Sequence, residues 1–114
     1  MRNYNIAMMC GRSACEQVMQ AIKEWPEWLK PEVRTFHEND YIYLAWDYVK
    51  WHPEYSQYNF MELFHELDNE TDNSYAYKLI CIAEDNTEET YQNDIGERFF
   101  NEFCTETKIF IPYK

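Results

Sequence analysis

The sequence predicts one α+β domain over residues 1–114. Its expected core is a single-layer, mostly antiparallel four-stranded sheet with two helices on one face, in the order β-α-β-α-β-β. Three observations lead there. Two segments carry apolar residues at helical spacing, and four segments read as strands by alternation or by β-branched and aromatic content. Each helix has a single apolar stripe, which must be buried against a sheet. A chain of 114 residues has the length of one domain, and no internal repeat or low-complexity tract divides it.

Tyr4 to Cys10 reads as the first strand, and Gly11 breaks it. Ser13 and Glu16 have capping-box spacing, in which a hydroxyl and a carboxylate satisfy each other's backbone N–H groups at a helix start. Ala14, Val18, Ile22 and Trp25 then repeat at helical spacing until Pro26 stops the helix. Pro26 to Asp40 reads as a long connection with room for one helical turn. Tyr41 to Val49 is a strand with Ile42, Leu44, Trp46 and Tyr48 on one face. Tyr41, Tyr43, Ala45, Asp47 and Val49 share the other, so both faces are largely apolar and the strand is central.

Asn59 opens a second helix with Glu62 at capping-box spacing, and Phe60, Leu63, Phe64 and Leu67 form its stripe. Asn69 to Asn73 is a polar turn, Tyr75 to Ala83 the third strand, and Thr107 to Tyr113 the fourth. Asp94 to Cys104 fits either a helix capped by Asp94 and Glu97 or the start of a long alternating strand; strand is favoured near its end.

Charge narrows the function classes. The chain holds 21 Asp and Glu against 10 Lys and Arg, a net charge of −11. With 46% hydrophobic and 18% aromatic residues it is not a disordered acidic tail. Such a chain repels polyanions, which argues against direct nucleic-acid binding and against an anionic membrane surface. No stretch approaches a transmembrane helix, and Ile6 to Cys10 is too short for a secretory signal. Four cysteines in an unexported chain are expected as reduced thiols, so a cytoplasmic address follows.

Gly11 and Gly96 are the only glycines, so no phosphate-cradling loop exists. His37, His52 and His65 are scattered, and Cys10, Cys15, Cys81 and Cys104 form no C-x-x-C pair. Glu62-x-x-His65 is a lone copy of a motif that di-iron bundles use twice, and a solvated helix face explains it better. Cys15 in a first helical turn is a candidate for a lowered pKa, but nothing in the sequence pairs a cysteine with a histidine. No metal, cofactor or enzymatic activity is expected, and a small metal- or thiol-dependent enzyme is the least favoured alternative.

The acidic excess is uneven. Residues 1–57 hold eight acids and six bases, whereas residues 58–114 hold thirteen acids and four bases. Densest is the run from Glu84 to Glu89. The residues singled out for partner binding are Glu84, Asp85, Glu88, Glu89, Asp94 and Glu97, with Glu62, Glu66 and Glu70 as a supporting row on the second helix. A solubility face is the plainer alternative. The favoured reading is a face that mimics phosphates before a basic groove.

In size, net charge, scarcity of lysine, the acidic run Glu84 to Glu106 and the strand-then-acid segment Tyr77 to Asp85, the chain resembles small acidic inhibitors from phages and mobile elements. These include anti-CRISPR proteins, antirestriction proteins and uracil-DNA glycosylase inhibitors. The resemblance implies an inhibitor of a nucleic-acid-handling enzyme in a bacterial cytoplasm, with a CRISPR effector nuclease the most concrete partner. It supplies no motif from which a functional residue is carried over. A second expectation is a protein–protein adaptor or homodimer anchored by Trp46, Trp51 and Tyr55, since Tyr and Trp outside a core favour interfaces. Salt separates the two, because screening weakens an acidic interface and leaves an aromatic one nearly unchanged.

Overall fold

A computed structural model describes residues 2–36, 40–58 and 60–100. Its strands are β1 (Tyr4–Gly11), β2 (Glu32–Phe36), β3 (Tyr41–Val49), β4 (Tyr77–Ala83) and β5 (Glu88–Gln92). Its helices are α1 (Arg12–Ala21), α2 (Phe60–Asp68) and α3 (Asp94–Phe99). All pairings are antiparallel, in the order β2-β3-β1-β4-β5. The α+β class and the open antiparallel sheet are as expected, but the described residues alone hold five strands and three helices, where four strands, one of them at 107–113, and two helices were expected.

The two unforeseen strands are the edges. β2 falls in the connection from Pro26 to Asp40, and Glu32, Val33, Arg34 and Thr35 are all exposed, so no buried alternation marks it. β5 lies inside the acidic run, where two glutamates mask a Thr-Tyr pair of good strand formers. The hairpin leading into it turns through Glu84, Asp85 and Asn86. Asn86 N–H donates to the Ala83 carbonyl at 2.9 Å, and Asn86 takes the left-handed conformation that asparagine tolerates.

Strand alternation sorts the core. Ile6, Met8 and Cys10 of β1, Ile42, Leu44 and Trp46 of β3, and Tyr77, Leu79 and Cys81 of β4 face the layer formed by α1 and α2. Ala14 and Val18 of α1 and all four predicted stripe residues of α2 meet them there. Ile95 of α3 packs with Ala76, Phe100, Met9 and Tyr41, which places α3 on the opposite face. Asp94 to Phe99 is therefore helical rather than strand. Residues 101–104 and the strand expected at 107–113 lie outside the described residues, as does Asn59.

Helix starts differ from the sequence reading. α1 begins at Arg12 with Gly11 as N-cap, and no capping box forms. The Ser13 hydroxyl instead pairs with that of Ser74 at 2.8 Å. Gly11 is needed because a Cβ there would stand 2.5 Å from the Ser74 carbonyl oxygen, a backbone atom that cannot swing aside. α3 is capped by Asn93, whose side chain accepts from Gly96 N–H at 2.8 Å.

The aromatics expected as interface anchors form core. Trp46 and Trp51 are buried, and Tyr55 and Tyr58 pack against the same cluster as partly buried side chains. The connection after β3 folds back over the helical face and lays Trp51 between Trp25, Trp46 and Phe60. Among the large apolar side chains of the described residues, Trp28 and Tyr48 are left the most exposed, at 77% and 62%.

Candidate functional site

The start of β1 and the ends of β3 and β4 meet at one end of the sheet, where Tyr4 lies opposite both Val49 and Ala83. Pairing between β1 and β3 slips there: Tyr4 faces Val49 while Ile6 faces Trp46, so β3 carries one extra residue. This bulge turns Tyr48 out of the row in which alternation had placed it and into solvent. Its φ of 55° is a left-handed conformation that a bulky side chain rarely adopts, at a cost of about 1–3 kcal/mol. Asn5 Oδ1 holds the bulge by accepting the Tyr48 N–H at 2.7 Å.

The hairpin carboxylates sit beside it. Glu84 accepts from Asn3 N–H at 3.2 Å, from Asn3 Nδ2 at 3.4 Å and from the Tyr48 hydroxyl at 3.1 Å. Asp85 accepts from Thr87 N–H at 3.0 Å and pairs with Arg2 at 2.6 Å. Hydrogen bonds from Asn3 lower the Glu84 pKa, and those from Thr87, aided by Arg2, bring Asp85 to about 2. Both carboxylates are fixed in direction and ionised at physiological pH. Asn3, Asn5, Tyr48, Ile82, Ala83, Glu84 and Asn86 line a cleft of about 340 Å³ between these groups.

A folded-state pKa below the unfolded one stabilises the fold above the unfolded value, near 4, and that contribution disappears as pH falls through the folded value. The stability difference between the parent and Asp85→Asn is therefore expected to be constant from pH 7 to about 5 and to vanish toward pH 2. Urea denaturation midpoints across that range measure it. A difference that persists unchanged at pH 2 contradicts the assigned hydrogen bonds.

Along β5, Glu89 lies opposite Cys81 and faces the helical layer, whereas Glu88 lies opposite Ile82 and faces the other way. Glu89 Oε1 is 2.7 Å from His52 Nε2. His52 Nδ1 accepts the Glu54 N–H at 3.1 Å, which leaves the ring proton on Nε2 to be donated to Glu89. The Tyr91 hydroxyl donates to Glu54 at 2.5 Å. Burial, with the Glu89 and Glu54 charges behind it, pushes the Cys81 thiol up to about 12. Donor atoms of His52, Cys81 and Glu89 lie within 4.8 Å of one another, the spacing a metal ion requires. Metal at Nε2 must displace the proton shared with Glu89 and move it to Nδ1, against the Glu54 N–H. As hydrogen-bonded here, the cluster is a closed proton arrangement with an unreactive thiol.

The other predicted carboxylates lie elsewhere. Glu62 and Glu66 open onto a groove between α1 and α2, and Glu70 follows the end of α2, so their row of three is broken. His65 lines a different groove with Asp68 and Tyr91, so Glu62 and His65 do not converge. Asp94 and Glu97 are exposed on α3, across the sheet and beside the start of β4. The nine residues therefore lie apart: Glu84, Asp85 and Glu88 at the hairpin end, Glu89 on the helical side with His52, Glu62 and Glu66 at the α1–α2 groove with Glu70 beyond it, and Asp94 and Glu97 on α3. Alternation along β5 and the crossing of α3 to the far face separate what is adjacent in the chain. Only Glu84, Asp85 and Glu88 gather at the hairpin end.

Sequence reasoning missed Tyr48, Asn3 and Asn5, since nothing local announces a bulge. It also missed His52 and Glu54 beside Cys81, which long-range pairing alone brings together. Cys15, singled out for a lowered pKa, has one because the Cys10 thiol donates to it, against the opposing effects of burial and Glu16.

No family model matches this chain. Neither does any curated protein or solved structure.

Proposed function

We propose that this protein binds a basic surface of a nucleic-acid-handling enzyme, most concretely a CRISPR effector nuclease, and inhibits it by occupying the place of a phosphodiester backbone. The observation that carries this reading is the β4–β5 hairpin, which concentrates Glu84, Asp85 and Glu88 at one end of the molecule and holds the first two by hydrogen bonds. Fixed carboxylates lose little freedom when an Arg/Lys groove closes on them, and they offer no base edge and no scissile bond. The net charge of −11 speeds encounter with such a groove and makes the complex salt-sensitive.

A combined variant, Glu84→Gln, Asp85→Asn, Glu88→Gln and Glu89→Gln, is expected to keep its far-UV circular dichroism and to weaken binding at least about tenfold, chiefly through slower association. The test is capture of the partner from a bacterial lysate on the parent protein, salt-gradient elution, and assay of the captured enzyme with parent and variant. Inhibition by the variant at parental strength overturns the reading. The aromatic adaptor or homodimer reading is no longer supported by Trp46 or Trp51. It now rests on exposed Trp28 and predicts a complex indifferent to salt.

A further inference from the structure

We propose that the cleft between the hairpin and the β3 bulge is a receptor for one arginine side chain of the basic partner. This rests on the function proposed above and specifies the contact by which the partner is gripped.

Glu84 carries the first part of the argument. Three donors orient its carboxylate, and all three are neutral: a backbone N–H, a carboxamide and a phenol. Among the described residues no cation stands within ion-pair distance of it: Arg2 pairs with Asp85 and acts on Glu84 only as a nearby charge, the smallest of the effects that lower its pKa. Two carboxylate oxygens have about four acceptor positions, and three are filled here. What remains is a charge held in a fixed direction with an acceptor position open.

Tyr48 carries the second part. Its backbone sits in a conformation that glycine or asparagine adopts readily, yet a tyrosine occupies it and leaves 62% of its surface in solvent. Packing does not explain the strain, because the ring is not in the core. The bulge and the Asn5 hydrogen bond present an aromatic surface at the cleft, beside the carboxylate that the hydroxyl holds.

The remaining walls decide which cation fits. Ile82 and Ala83, whose side chains alternate to opposite faces of β4, line the floor, and Asn3, Asn5 and Asn86 give carboxamide groups at the rim. A guanidinium is planar, stacks on an aromatic ring, and carries five donors in a fork that can reach a carboxylate and neighbouring amide oxygens together. A lysine ammonium is more strongly hydrated and matches neither the ring nor the spread of acceptors as well. Arginine is therefore the better occupant.

The probe is a nine-residue peptide with three arginines separated by glycine and serine, against the same peptide with lysines. Both are titrated into the full-length protein by isothermal calorimetry and by amide NMR. The arginine peptide is expected to shift the amides of Asn3, Tyr48, Glu84 and Asn86 and to bind at least about fivefold tighter than its lysine counterpart. Tyr48→Gly and Tyr48→Asn suit the left-handed backbone, so both are expected to keep the parental melting temperature within a few degrees while losing that preference. Glu84→Gln is expected to lower arginine affinity about tenfold. Equal affinity for the two peptides, amide shifts confined to β5 or α2, or an undiminished preference in both Tyr48 variants each overturn the proposal. If the cleft binds arginine but the captured partner is no nucleic-acid enzyme, the functional reading falls and the site stands. If the captured enzyme is inhibited while the peptides bind elsewhere, the reverse holds.

Discussion

Trp51→Ala is expected to remove about 3–5 kcal/mol of stability, the usual cost of deleting a fully enclosed large aromatic. Trp51 has no exposed surface, and its ring lies 4.9 Å from Trp46, 4.9 Å from Phe60, 5.2 Å from Trp25 and 5.9 Å from Tyr58. These five rings join β3, α2, the turn that follows α1 and the connection between β3 and α2, so the cavity left by alanine opens among all of them. Set against a typical domain stability of about 5–15 kcal/mol, the variant stands near unfolding at body temperature. The indole N–H sharpens the test, because it is buried and has no partner among the described residues. Trp51→Phe retains most of the apolar contact and relieves the stranded donor, so it is expected to cost less than about 2 kcal/mol. Urea titrations followed by circular dichroism measure both. An alanine variant within 1 kcal/mol of the parent contradicts the enclosed position of Trp51.

That residue also shows where sequence reasoning stops. Trp51, Tyr55 and Tyr58 lie in a segment without periodicity, and local pattern places such aromatics on the surface. The fold places them inside because the chain after β3 returns across the helical face, a tertiary event with no local signal. β1, β3, β4 and α2 were legible because each buries a regular stripe, and their apolar residues are core. β2 and β5 were not, because an edge strand forms by backbone pairing and needs no buried alternation; acidic side chains on such an edge also discourage pairing with further chains. The hairpin between β4 and β5 did leave a trace in Asp85-Asn86, turn-forming residues after an apolar run. For the acidic residues the composition was read correctly and the geometry was not. Adjacency in the chain suggested one surface for Glu84 to Glu97, while alternation along β5 turns Glu89 to the helical side and the crossing of α3 takes Asp94 and Glu97 to the far face. The cleft at Tyr48 depends on a one-residue slip between β1 and β3, which no pattern in either strand encodes.

Asn93→Ala is expected to cost about 2–4 kcal/mol. Its side chain is buried and makes four hydrogen bonds: Oδ1 accepts from Gly96 N–H at 2.8 Å and Tyr77 N–H at 3.2 Å, and Nδ2 donates to the Tyr75 carbonyl at 2.9 Å and the Leu67 carbonyl at 3.4 Å. It thus ties the end of α2 and the start of β4 to the first turn of α3. Loss of the cap alone costs about 1 kcal/mol, and the buried groups left without partners add about 1–3 kcal/mol. Part of the loss is local, so amide exchange in α3 should accelerate more than exchange in β1. Asn93→Asp separates capping from donation. It keeps the acceptor for Gly96 and Tyr77 but turns a negative oxygen toward the carbonyls of Tyr75 and Leu67, which raises the new carboxyl's pKa above its usual range. A carboxyl with a raised folded pKa destabilises the fold at neutral pH and recovers as falling pH protonates it. The aspartate variant should therefore be at least as unstable as the alanine variant at pH 7 and gain on it below about pH 5, as one restored O–H donor returns to a buried carbonyl. If the two variants keep parallel stability curves between pH 7 and 4, the Nδ2 bonds contribute nothing and Asn93 acts as a helix cap alone.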